Sequence, residues 1–175
     1  PHRRRWLAGS KPAPSARRVC PTELLRLILF ISDLHLAPQT AGVQRLFLAF
    51  LAGRARTAEQ LFILGDLFEA WPGDDCLDDA QNPLAGVVAD ALRELTDRGV
   101  AVSLMHGNRD FLLGARFAQA AGATLLADRV VTDVGGVQTL LLHGDELCTA
   151  DVAYQRYRTW VRDPVRQRRF LALPW

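Results

Sequence analysis

Two rhythms of apolar positions alternate along the chain. Arg26–Ser32 (RLILFIS), Gln60–Leu64 (QLFIL) and Val100–Met105 (VAVSLM) are short, almost continuously apolar runs, the pattern of strands buried on both faces. Between them apolar residues recur at helical spacing. Ala41–Arg56 carries Val43, Leu46, Phe47, Phe50 and Leu51; Pro83–Arg98 carries Leu84, Val87, Val88, Ala91, Leu92 and Leu95. Pro83 near the start and Gly99 just past the end are helix start and stop signals. Leu113–Ala121 predicts a further helix, stopped by Gly122. Arg129–Val134 and Val137–Leu142 flank Gly135-Gly136, a two-residue hairpin signal. Asp151–Arg162 predicts a last helix, which Pro164 interrupts. Strands alternating with helices predict a layered α/β domain with an antiparallel pair near its end.

Composition narrows this picture without changing it. The 175 residues are enough for one domain. Apolar content of 49%, charged content of 23% and a mean hydropathy near zero are those of a soluble globular protein. A net charge of +2 calls for no nucleic-acid partner. Cys20, Cys76 and Cys148 are odd in number, far apart and without a CxxC pair, so neither a disulfide framework nor a thiolate zinc site is expected. A reducing, cytosolic setting fits better. The longest apolar run, Leu27–Ile31, is far short of a membrane span. Residues 1–22 are rich in Arg, Pro, Ala and Ser but hold no apolar targeting core, and read as a disordered extension.

The chemistry lies where the strands run out. The first ends in Ser32-Asp33-Leu34-His35 and the second in Gly65-Asp66, followed by Asp74-Asp75. The third ends in His106-Gly107-Asn108-Arg109-Asp110, and the hairpin in His143-Gly144-Asp145. Ligands of open α/β sheets gather beyond the carboxyl ends of the strands. Asp33 and His35, two apart on an extended segment, would point the same way. Carboxylate, imidazole and amide donors together suit Mn2+, Fe or Zn2+, and two such ions 3.5–4 Å apart are the apparatus of phosphoryl displacement. Singly, each group has a plainer role: a turn at Asp33, a cap at Asp66, a left-handed turn at Asn108, a bonded core histidine at His143. Four of them at strand ends, beside glycines, point to one metal site.

These residues resemble the calcineurin-like metallophosphoesterase signature in its usual order. The longer strings Leu64-Gly-Asp-Leu-Phe-Glu-Ala-Trp71 and His106-Gly-Asn-Arg-Asp-Phe-Leu-Leu-Gly114 narrow the resemblance to the UDP-2,3-diacylglucosamine hydrolases of Gram-negative bacteria. So does His143-Gly-Asp-Glu-Leu-Cys-Thr149 with Asp151, Tyr154-Gln155 and Arg158. The likeness runs from about Leu27 to the end of the chain. It implies a sandwich of mixed β-sheets flanked by helices. It also implies two Mn2+ ions: Asp33 and His35 on the first, Asp66 bridging, Asn108 and His143 on the second. The implied catalytic set is Asp66, Asn108, Arg109 and His143, with Asn108, Arg109 and Asp151 against substrate. Arg109 is also open to reading as a structural ion pair. The implied reaction is attack of a metal-bound hydroxide on the α-phosphorus of UDP-2,3-diacylglucosamine. It releases UMP and 2,3-diacylglucosamine 1-phosphate for lipid A synthesis at the cytoplasmic side of the inner membrane. A nucleotide pyrophosphatase or phosphatase of the same superfamily is the alternative.

The likeness has gaps. Ala150 stands where the family commonly has an acid, and Pro72 where it has a branched apolar residue. The family's downstream Gly-His-x-His is missing: the four histidines are His2, His35, His106 and His143. A carboxyl-truncated fragment is therefore expected, with an inactive one as the alternative to an enzyme, divided into an extension (1–24), an incomplete core (25–163) and the start of a helical cap (164–175). The last stretch pairs Arg156, Arg158, Arg162, Arg166, Arg168 and Arg169 with Trp160, Phe170, Leu171 and Trp175. That suits either an anionic membrane surface or a solvated helix face. Oligomeric state is left open.

Overall fold

A computed structural model describes residues 27–173. The expected extension over 1–24, Arg26, Cys20 and Trp175 lie outside the described residues. Strands β1 (Ile28–Ile31), β2 (Gln60–Leu64), β3 (Ala101–Met105) and β4 (Thr124–Leu125) form one sheet in the order β1-β2-β3-β4, every neighbouring pair parallel. The hairpin is β5 (Arg129–Val134) and β6 (Val137–Leu142), a separate antiparallel sheet turning at Gly135-Gly136.

Period-two alternation explains the apolar runs. Leu61 and Ile63 of β2 and Val102 and Leu104 of β3 face one way, into a core with α1 (Ala41–Ala52), α2 (Leu84–Asp97) and α3 (Ala115–Ala121). Phe47 and Leu51 come from α1, Val88, Leu92 and Leu95 from α2, and Phe117 and Ala121 from α3. The intervening Phe62 and Met105 face the other way, against Leu141 of β6 and Val130 of β5. The parallel sheet thus lies between a helical layer and the hairpin, so its strands read as unbroken apolar runs. This is the mixed α/β layering that the sequence predicts.

Three helical features differ from expectation by more than one residue. The first helix stops at Ala52 instead of Arg56: Gly53 ends it, and Arg54–Thr57 tightens into a 3-10 turn that buries Ala55. The third helix starts at Ala115 instead of Leu113, because the Asp74 carboxylate seizes its first backbone amides: Gly114 N at 2.8 Å, Arg116 N at 2.9 Å and Phe117 N at 3.1 Å. Pro164 does more than interrupt. The expected last helix is α4 (Val152–Val161), and Pro164 begins a further helix, α5 (Pro164–Leu171), capped by the Asp163 carboxylate on Arg166 N. Proline at a first helical position lacks an N–H that would have no helical partner there.

Candidate metal centre

The parallel register (Ile31 beside Ile63, Leu64 beside Met105) brings the carboxyl ends of β1, β2 and β3 to one edge. Beyond that edge the 32–36 segment runs along the loop that follows β2. Asp33 N donates to Gly65 O, His35 N to Asp66 O, and Leu36 N to Leu67 O, each at 3.0–3.1 Å. Asp33, His35 and Asp66 all have positive φ, at 54°, 48° and 52°. The extended segment expected for Asp33-x-His35 is therefore corrected. Left-handed turns, held by backbone bonds to the neighbouring loop, present these two side chains. For non-glycine residues such conformations cost about 1–3 kcal/mol each and concentrate at functional sites.

The side chains converge on Asp66, which is buried. Ligand atoms of Asp33, His35 and Asp66 lie within 4.8 Å of one another. Asp66 Oδ2 is 3.8 Å from His35 Nε2 and 3.7 Å from His143 Nε2, so one carboxylate oxygen stands between two imidazoles. Its other oxygen is engaged by Arg109 N at 2.8 Å. Burial, only partly offset by that bond and by the histidines, pushes the Asp66 carboxyl above its usual range. A cation is what restores a carboxylate in such a place.

The second pair fits a cation for a different reason. His143 Nδ1 lies 2.8 Å from Leu64 O and donates its proton there. Nε2 therefore carries the lone pair. It lies 3.1 Å from Asn108 Oδ1, itself an acceptor. With the imidazole neutral, these two acceptor atoms face one region, as two ligands of one ion would. The donor set of carboxylate, imidazole and amide groups suits a divalent metal ion.

Close backbone approach makes this possible. A Cβ on Gly107 would fall inside the Asp66 carboxylate, and one on Gly65, whose φ is 92°, would lie 2.7 Å from Gly107 Cα. Asp110, also buried, fastens the loops together. Its carboxylate accepts from Gly107 N and Leu67 N at 2.8 Å and from Asp66 N and Phe68 N at 3.3 Å.

Some expected members lie elsewhere. Asp74 turns away to cap α3 and to accept from the Trp71 indole at 3.1 Å, and Asp75 is exposed on the Arg116 side. His106 Nε2 sits 2.6 Å from Leu113 O and takes no part in the cluster. Asp151 caps α4, accepting from Tyr154 N at 2.9 Å. Asp145 binds the Tyr154 hydroxyl at 2.6 Å and Arg158 Nε at 2.8 Å. Burial raises the Asp145 carboxyl, but those two hydrogen bonds outweigh it and hold it below its usual range. Burial and the same carboxylate push the Tyr154 hydroxyl well up.

Sequence reasoning assigned no role to Glu69. Its Oε2 lies 2.9 Å from the buried His35 Nδ1, close enough for charge contact though not aligned as a hydrogen bond, and its Oε1 lies 3.6 Å from Arg109 Nη1. The signal available was an acid three residues after Asp66. The Arg109–Glu69 pair is half exposed and long. Such a pair is worth at most about 1 kcal/mol.

A parallel sheet with one carboxylate oxygen between two imidazole-bearing loops at its carboxyl edge is an arrangement that could hold a pair of metal ions. The relatives found by sequence are specific. The chain is 55% identical over 139 residues to a UDP-2,3-diacylglucosamine hydrolase of Pseudomonas syringae pv. tomato. It is 53% identical to that of Pseudomonas putida over 139 residues and 54% identical to that of Pseudomonas paraeruginosa over 138. Each match covers 79% of this chain and 54–56% of the relative, so the chain spans about half the length of the curated relatives it matches. Over those residues the chain is similar to proteins named UDP-2,3-diacylglucosamine hydrolase, the likeness that its strings also carry. No protein-family model matches the chain. Among solved structures, nuclease MPE of Pseudomonas putida aligns at a TM-score of 0.45 and 23% identity, over 59% of this chain and 49% of that one.

Proposed function

We propose that the protein to which this chain belongs hydrolyses the pyrophosphate bond of UDP-2,3-diacylglucosamine, giving UMP and 2,3-diacylglucosamine 1-phosphate for lipid A synthesis. The observation that carries the reading is Asp66 Oδ2, shared between His35 Nε2 and His143 Nε2 at 3.8 and 3.7 Å. In this reading Asp33, His35, Asp66, Asn108 and His143 would hold two Mn2+ ions. Two divalent ions, when bound, lower the pKa of water and neutralise charge developing on phosphoryl oxygens. The chain's own residues do the rest. The Arg109 guanidinium, a planar fork, grips phosphate oxygens. Asn108 orients the attacked phosphoryl group, and Asp151 meets the substrate from the start of α4. Asp110 and the missing side chain of Gly107 hold the loops close enough to share one carboxylate.

The test is hydrolysis by the product of the complete reading frame. We expect Mn2+-dependent release of UMP, abolished by chelation. The acylated UDP-sugar should be preferred over bis-p-nitrophenyl phosphate by at least ~10²-fold, the discrimination that well-placed pocket contacts supply. Faster cleavage of the simple diester would favour a general nucleotide pyrophosphatase or phosphatase instead.

The same proposal places the protein peripherally on the cytoplasmic side of the inner membrane. No helix among the described residues is long and apolar enough to cross a membrane. Trp160, Val165 and Leu171 are exposed on α4 and α5 among arginines, with Arg166 stacked 4.7 Å over Trp160. That mixture suits an anionic interface. Co-sedimentation should recover more protein with vesicles containing anionic lipid than with neutral ones; equal recovery sinks this placement.

A further inference from the structure

We propose that Arg162, at the end of α4, is a positioning residue that aims Asn108 at His143. Tyr154, Arg158 and Arg162 are spaced i, i+4, i+8, so they form one stripe along α4. That stripe grips both loops of the second ligand pair. Tyr154 and Arg158 hold Asp145, two residues after His143, at 2.6 and 2.8 Å. Arg162 Nη2 donates to Gly107 O at 2.8 Å, in the loop that bears Asn108. A single acid joins the two arginines: Asp128 accepts from Arg162 Nη1 at 2.7 Å and from Arg158 Nη2 at 3.2 Å.

The bond to Gly107 O matters because of where Asn108 sits. The peptide before Asn108 is held through Gly107 O by Arg162, and the peptide after it through Arg109 N by Asp66. With both flanking peptide planes fixed, the Asn108 amide has little choice of direction. Removing Arg162 frees the first plane and leaves a part-buried carbonyl without this donor. The fork geometry of arginine is what lets one side chain serve Gly107 O and Asp128 together, and the compact ammonium of lysine reaches one of them.

This inference rests on the proposed metal site, and the experiment separates the two. The metal-free readout is the Asn108 side-chain amide pair in a 15N–1H spectrum. It should be resolved and ordered in the wild type and averaged in Arg162→Gln, whether or not the protein hydrolyses anything. Loss of an outer partner of a metal ligand typically costs 10–100-fold. Mn2+ affinity in Arg162→Gln, measured without substrate, should therefore fall ~10–100-fold, with kcat falling alongside and KM within about twofold. Arg162→Lys should recover part of each loss. Asp128→Asn, which loosens Arg162 without removing it, should move all three readouts in the same direction by less. An ordered Asn108 amide and unchanged Mn2+ affinity in folded Arg162→Gln overturn the proposal. So does a failure of both Arg162 variants to fold combined with unchanged Mn2+ affinity in Asp128→Asn, which would make Arg162 a purely structural residue. A wild type that orders Asn108 yet shows no hydrolysis of the UDP-sugar would refute the functional reading and leave the positioning role standing.

Discussion

Asp66→Asn is expected to lower kcat/KM for phosphoester hydrolysis by about 10³-fold while leaving the fold intact. A pair of cations stabilises a phosphoryl transition state by several kcal/mol, and each 1.36 kcal/mol is a factor of ten in rate. Asp66 is the residue whose loss disturbs both ion sites at once, since its Oδ2 lies 3.8 Å from His35 Nε2 and 3.7 Å from His143 Nε2. The fold should survive for two reasons. Asparagine keeps an Oδ1 to accept from Arg109 N, a bond of 2.8 Å in the native protein. It also removes a carboxyl that burial pushes above its usual range. The sign is explicit. A carboxyl raised in the folded state is favoured in its protonated form, so it costs stability as pH rises through its folded value. Removing it should leave the metal-free melting temperature at or above that of the wild type at neutral pH. That is the usual trade between stability and function at an active site. Circular dichroism and steady-state rates decide the matter together. Activity within tenfold of wild type in Asp66→Asn would mean that catalysis does not depend on this centre.

Asp110→Ala is expected to act in the opposite way, through the fold. The Asp110 carboxylate receives four backbone N–H groups, from Asp66, Leu67, Phe68 and Gly107. Alanine leaves those donors without their acceptor in a region that is 2% exposed at this residue. An unsatisfied buried donor costs about 1–3 kcal/mol. Relaxation and water will rescue some of the four, so we expect a net loss of about 4 kcal/mol, at the severe end for single substitutions. For a domain of this size that corresponds to a drop in melting temperature of roughly 8–16 °C. Catalysis should fall with it, because the same bonds hold Asp66 and Gly107 side by side. Asp110→Asn should recover part of the loss, since one oxygen remains to accept while its NH2 faces donors. A loss of less than about 1 kcal/mol in Asp110→Ala, read from urea denaturation, would show that these loops are held by something else.

Strand placement and the residue types at the centre were legible because both are local. The runs at 60–64, 129–134 and 137–142 match their strands to the residue, since burial on both faces gives 60–64 an almost unbroken apolar stretch and Gly135-Gly136 dictates the turn between the other two. Asp33, His35, Asp66 and Asn108 could be read as a group because they stand just beyond strands whose parallel register levels their ends, and His143 because it ends the second strand of the hairpin. Helix ends were less legible. Gly53 stops α1 early, and α3 starts where Asp74, forty residues away in sequence, supplies its cap.

The clearest division lies between two identical dipeptides, Gly65-Asp66 and Gly73-Asp74. By itself the sequence determined that each sets an acid on a loop after β2, and that acids, histidines and an asparagine cluster at the strand ends. Apolar period and spacing could not determine which acid meets the histidines; only the family resemblance pointed to Asp66. The tertiary structure places Asp66 between two imidazoles and turns Asp74 onto the amides of α3. It likewise decided that Asp33 and His35 are left-handed, and that Asp110 serves four amides from two loops. The reason is physical. Apolar period and side-chain chemistry are properties of neighbouring residues. The partner of a buried carboxylate is whichever backbone N–H or ligand atom the packed loops bring within reach, and that is known only once the chain has folded.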